Sequence, residues 1–181
     1  AYYARNDGEA EEVATAISEH YLPKYSGDAL PATATGAAVA LADRLDTLVG
    51  IFGIGQTPTG SKDPFALRRA SLSVLRIIVE KSLDLDLRDC LVFSLQQYGE
   101  RISADGLVDT VLSYMLERFR AWYEDEGISA EVFMAVAARK LSSPADIDSR
   151  VKAVAAFSKL EPAQALAAAN KRVSNKKQHF L

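Results

Sequence analysis

The chain has 181 residues, 49% of them apolar and 25% charged, a balance that supports a buried core and excludes intrinsic disorder. No apolar run approaches the ~20 residues that a membrane-spanning helix needs, and the acidic start "AYYARNDGEAEE" lacks the basic and apolar regions of a secretory leader. The net charge of −3 is unevenly spread: residues 1–60 carry 8 acids against 3 bases, residues 61–181 the other 16 acids against 18 bases. The later part is therefore the better place to seek a polyanion contact.

In chain order, "GEAEEVATAISEHYL" predicts a helix with acids in its first turn, where they complement the dipole, and with His20 capping its end before Pro23. "PKYSGDALPAT" is a loop. "TGAAVALADRLDTLVGIF" predicts a helix with Val39, Ala42, Leu45, Val49 and Phe52 near one face. After a glycine-rich turn, "DPFALRRASLSVLRIIVEKS" offers Asp63 as N-cap and Pro64 at the first helical position. The alternation over residues 83–87 has a strand's period but no obvious partner, so a turn into the helix "RDCLVFSLQQY" is expected. Its Cys90, the sole cysteine, cannot form an internal disulfide; it reads as a small core residue in a reducing, cytoplasmic setting.

"SADGLVDTVLSYMLERFRAWYEDEG" spaces Leu107, Val111, Tyr114, Met115, Arg118 and Trp122 for one helix, ended by Gly127. "SAEVFMAVAARKL" starts with a near capping-box pattern, and "SPADIDSRVKAVAAFSKL" and "EPAQALAAANKRVSN" each open on a proline near the first turn. Helices with short connections predict an all-α multi-helix bundle.

Several motifs invite chemistry. "GQTPTG" has the glycine spacing of a phosphate-binding loop, but Ser61-Lys62 stands in the wrong order and the Asp-Pro start puts a carboxylate where phosphate would bind, so a shaped turn is expected. Asp43 and Asp46, three apart in "LADRLD", could ligate a hard cation or form an exposed pair around Arg44. "ALADRLD" resembles the closing aspartate helix of the HD family of metal-dependent phosphohydrolases. That family's other ligands, a histidine and a histidine–aspartate pair, have no counterpart, because the two histidines here, His20 and His179, are not followed by Asp. Asp43 is thus a vestigial metal candidate, and no metal site or catalytic residue is assigned. Phe119, Trp122 and Tyr123 could stack bases, though aromatics at helical spacing more often fill a core. Cations gather at Lys62, Arg68, Arg69 and Arg76, and again at Lys171, Arg172, Lys176 and Lys177. They could hold phosphates or form a solvated face and tail.

The segments "YYARNDGEAEEVATAISEHYLPKYSGDALP", "GAAVALADRLDTLVGIFGIGQTPTGSKDPFALRRASLSVLRIIVEKSLDLDL", "FRAWYEDEG", "SPADIDSRVKAV" and "ALAAANKRVSN" closely resemble the β subunit of bacterial glycyl-tRNA synthetase, over residues 2 to about 175. "PTGSKDPFALRRA" is the most specific marker, while the final "KKQHFL" departs from the family. The resemblance implies an internal piece of a longer subunit: the end of a degenerate HD-domain-like helical domain over residues 1–82, then a helical linker domain over 83–181 leading towards a missing anticodon-binding domain. It further implies an α2β2 heterotetramer that joins glycine to tRNA(Gly). ATP and magnesium would act through the α subunit, with no cofactor in this piece. The tRNA-binding candidates are Lys62, Arg68, Arg69, Arg76, Lys171 and Arg172. Two other readings are an HD-type phosphohydrolase and a module that only assembles with the α subunit.

Overall fold

The computed structural model describes residues 1–163, apart from Ser61 and Ala104, together with Leu166. The described chain folds into α1 (Tyr2–Asn6), α2 (Glu11–Glu19), α3 (Ala34–Gly53), α4 (Leu67–Glu80), α5 (Leu87–Tyr98), a 3-10 turn (Gly99–Arg101), α6 (Leu107–Asp125), α7 (Ala130–Ala137) and α8 (Pro144–Ser158). There is no strand among these residues, and the all-α expectation holds. The alternating residues 83–87 run as a connection into α5, whose N-cap Asp86 accepts the N–H groups of Arg88 (2.8 Å) and Asp89 (3.2 Å).

The longest helix, α3, packs against α2, α4, α5 and α6. The Thr33 hydroxyl caps it by accepting the Gly36 N–H at 2.9 Å. Its inner face is Ala37, Ala40, Leu41, Arg44, Leu45, Leu48, Val49 and Phe52. Val39 and Ala42, expected on that face, are exposed. The phase differs because the buried stripe includes an arginine, which a count of apolar spacing passes over. One packed core takes in Leu45, Ile78, Leu91, Met115, Phe133 and Val151, so side chains from α3 to α8 share it.

The start of α4 departs from the expected Asp-Pro beginning. The helix opens at Leu67, four residues beyond Asp63, and its N-cap Ala66 is left-handed at φ 54°. Asp63 nevertheless caps, at a distance: its carboxylate accepts the N–H groups of Leu67 (2.8 Å) and Arg68 (3.0 Å). The left-handed residue folds residues 63–66 into a turn of their own, and the Ala66 N–H closes it on the Asp63 carbonyl at 3.1 Å.

In α6 the buried set is Leu107, Val111, Leu112, Met115, Phe119 and Tyr123, with Gly127 just past its end at φ 80°. Phe119 lies 4.9 Å from Tyr123, 5.5 Å from Trp122 and 6.1 Å from Phe133, centroid to centroid. Phe119 and Tyr123 are fully buried, so the aromatic cluster is core and these two rings are closed to base stacking. Burial pushes the Tyr123 phenol well above its ordinary pKa, and its hydroxyl donates to Asp148 of α8 at 2.8 Å.

The near capping box at α7 does not form, for the Ser129 hydroxyl makes no capping bond. By contrast α8 begins as expected, with Pro144 in its first turn and Ser143 as N-cap. The helix expected over "EPAQALAAANKRVSN" is present at residues 161–163; most of the rest, Lys171 and Arg172 included, lies outside the described residues.

Candidate nucleic-acid interface

The turn before α4 is built by its backbone. The Lys62 N–H donates to the Thr59 carbonyl at 2.8 Å, the Thr59 N–H donates back at 3.1 Å, and Gly60 between them sits at φ 50°. Only glycine takes that conformation without cost. The Arg68 guanidinium folds back and donates to the Gly60 carbonyl, tying the turn to the first turn of α4. Because Asp63 fills the helix-end amides from within, the segment is not a phosphate loop of the kind its glycines suggest.

What remains free is the outer edge. Lys62 and Arg69 are exposed, and neither makes a side-chain hydrogen bond or ion pair among the described residues. The first turn of α4 holds no acid. Two arginines stand there, at Arg68 and Arg69, where the helix dipole favours negative charge at a few tenths of a kcal/mol or more per group. A local rule broken at an exposed position marks a place to look for function.

Arg69 lies on the walls of two cavities. One, of about 420 Å³, includes Lys24, Phe65 and Ser73. The larger, of about 860 Å³, lies between α4, α6 and α8 and also contains Arg68, Arg76, Arg118, Trp122 and Lys152. Much of the charge in that second groove is already matched. Arg76 pairs with Glu80 at 2.6 Å and donates to the Asp28 carbonyl at 3.1 Å; Lys152 pairs with Asp148 at 2.9 Å; the Trp122 indole donates to Glu126 at 2.7 Å. Of the four candidate cations on the turn and α4, the structure thus places Lys62, Arg68 and Arg69 together at one helix end. Arg76, two turns on, holds the loop before α3 against α4.

Asp43 and Asp46 are both exposed on α3. Among the described residues no group of three or more His, Cys, Asp or Glu side chains converges as a metal site would. His20 is the C-cap of α2, with its Nδ1 2.8 Å from the Ile17 carbonyl. Cys90 is half-buried against the core, and burial pushes its thiol pKa up, with Asp86 and Asp89 adding to the shift.

Arg44, which the two exposed aspartates flank in sequence, is only 9% exposed. Its guanidinium donates to the carbonyls of His20 (2.7 Å), Ala40 (2.9 Å), Tyr21 (3.1 Å) and Pro23 (3.3 Å). Burial lowers its pKa and the neighbouring Asp43 charge opposes that shift. The only sequence signal for this role is its 3.6-residue phase with Leu41, Leu45 and Leu48.

A family profile described as glycyl-tRNA synthetase beta subunit matches residues 1–138. The chain belongs to the glycyl-tRNA synthetase β-subunit family. A relative named glycine–tRNA ligase beta subunit from Chromohalobacter salexigens is 61% identical over 181 residues, covering 98% of this chain and 26% of the relative. Proteins of the same name from Pseudomonas fluorescens and Klebsiella pneumoniae are 60% and 59% identical over 174 residues, each covering 96% of this chain and 25% of the relative. The chain therefore spans about a quarter of the length of these curated relatives.

Proposed function

We propose that this chain is an RNA-handling helical scaffold of a glycine–tRNA ligase β subunit, and that the exposed cations at the start of α4 hold the sugar-phosphate backbone of tRNA(Gly). Lys62 and Arg69 contact phosphate oxygens, and Arg68 keeps the turn in shape. The chemistry, joining glycine to tRNA with ATP and magnesium, belongs to an α subunit of an α2β2 assembly in the cytoplasm. Family membership supports the glycylation context. The observation that carries the contact is the unpaired, exposed pair Lys62 and Arg69 beside a helix end whose own amides are filled by Asp63. Cations so placed attract phosphate without reading sequence, which suits a supporting role.

In the assembled full-length ligase, Lys62→Ala with Arg69→Ala is expected to lower tRNA glycylation roughly tenfold, about the weight of one charge-assisted hydrogen bond. Glycyl-adenylate formation stays unchanged, since no residue of this chain is placed at the reacting atoms. Equal loss in both assays contradicts the proposal and assigns these residues to folding or assembly.

A further inference from the structure

A cavity of about 1000 Å³ is lined by α3 and α5 and reaches Ile78, Lys81, Leu83 and Leu85 in and after α4. It shares no residue with the 860 Å³ groove, and of its rim only Asp43 also lines the 420 Å³ cavity that Arg69 reaches. Its interior is apolar, with Leu41, Leu45, Ile78 and Leu85 along it and the Phe93 ring, 66% exposed, at its side. An aromatic ring left so open beside a continuous apolar channel marks a contact surface rather than a stray exposed residue. On the α3 side Ala34, Ala38 and Ala42 line the channel, and side chains this small let a second helix approach closely, within the ~8–10 Å axis separation of packed helices.

The rim carries three carboxylates and one cation. Asp43, Asp46 and Asp89 line the groove, and none of the three forms an ion pair among the described residues. The one cation there, Lys81, is already engaged, donating to the carbonyls of Pro31 at 2.9 Å and Ala32 at 3.3 Å. Phosphate is repelled from such a rim, so RNA does not fit it. A second copy bringing the same face across a two-fold axis would set carboxylates against carboxylates.

We propose that the α3–α5 groove is a docking site for an amphipathic partner helix whose apolar stripe is flanked by Lys or Arg. The α3 wall covers residues 34–46, about 18 Å at ~1.5 Å per residue, which matches three to four turns of partner helix. Apolar side chains at i, i+3, i+4 and i+7 enter the channel, and the flanking cations meet the three carboxylates. The surface does not depend on RNA contact at α4.

Cys90 lies on the groove wall and is the only cysteine of the chain, so its alkylation reports occupancy. The test mixes the 181-residue chain with a synthetic Leu/Lys amphipathic helix and, separately, with the same peptide carrying Glu for Lys. The Lys peptide is expected to bind saturably and slow Cys90 alkylation about tenfold, and the Glu peptide to do neither. Asp46→Lys with Asp89→Lys reverses the preference, weakening the Lys peptide about tenfold and admitting the Glu peptide. Phe93→Ser abolishes both. All three substituted side chains are exposed, so unchanged circular dichroism and melting show that these variants fold. Equal binding of the two peptides, or binding that leaves the Cys90 rate unchanged, overturns the proposal. So does protection of Cys90 by tRNA, or by concentration-dependent dimers seen in sedimentation.

Discussion

At the scale of single residues, Arg44 shows how a charge can belong to the core. Four carbonyl oxygens from α2, the loop after it and α3 itself converge on its fork, and a planar guanidinium with five donors can satisfy them while a lysine cannot. Arg44→Ala leaves the carbonyls of His20 and Tyr21 without a partner, leaves Pro23 only its bond from the Ser73 hydroxyl at 3.3 Å, and opens space beside Pro23. We expect a loss of about 2–4 kcal/mol, read as a fall in chemical-denaturation stability. Arg44→Lys should recover only a minor part, and full recovery would show that charge alone matters. This residue was the least legible in the sequence. The two aspartates around it suggested a metal-binding helix, and hydropathy gives an arginine no inward direction.

At the scale of elements, the helix ends decide where side chains point. Periodicity made the helices themselves readable, because apolar residues at three- and four-residue spacing leave few other structures. Their first residues were less readable. Asp63 was identifiable as a cap, yet Ala66 in a left-handed conformation delays α4 and turns Arg68 back onto Gly60; nothing in the local composition requires an alanine there to do so. The turn into α5 was the opposite case: the alternation over residues 83–87 lacked a strand partner, and the expected turn-then-helix is what forms, with Asp86 as a cap that the sequence reading does not single out.

The Asp86 carboxylate also binds the Ser142 hydroxyl at 2.6 Å, which joins the start of α5 to the α7–α8 connection. Burial works against its ionisation, but the Ser142 hydroxyl, the Asp89 and Arg88 N–H groups and the Arg88 charge together hold its pKa below the usual carboxylate value. A depressed folded pKa contributes stability that is present above the unfolded value of ~3.9 and lost as pH falls through the folded one. Asp86→Ala is therefore expected to cost about 1–2 kcal/mol near neutrality. Thermal melts of variant and parent should draw together below about pH 4. A gap that stays constant or widens in acid contradicts the assignment.

At the scale of the whole molecule, charge separates two surfaces: cations at the α4 turn, carboxylates around the apolar α3–α5 groove. The specific segment "PTGSKDPFALRRA" pointed to the family that the comparisons show. Which cations are free could not be read from composition, because the pairing of Arg76 with Glu80 and of Lys152 with Asp148 is set by helix register and packing.

No helix among the described residues is long and apolar enough to cross a membrane. Two aspartates on one helix do not reveal whether other ligands reach them, and in the described fold none joins them.

The most direct measurement is the salt dependence of tRNA(Gly) binding to the assembled full-length ligase, parent against Lys62→Ala with Arg69→Ala. Each phosphate contact contributes about 0.7–0.9 to the slope of log affinity against log salt, so the double substitution should flatten that slope by roughly 1.4–1.8 and weaken binding most at low salt. An unchanged slope, with affinity equal at every salt concentration, would contradict the account.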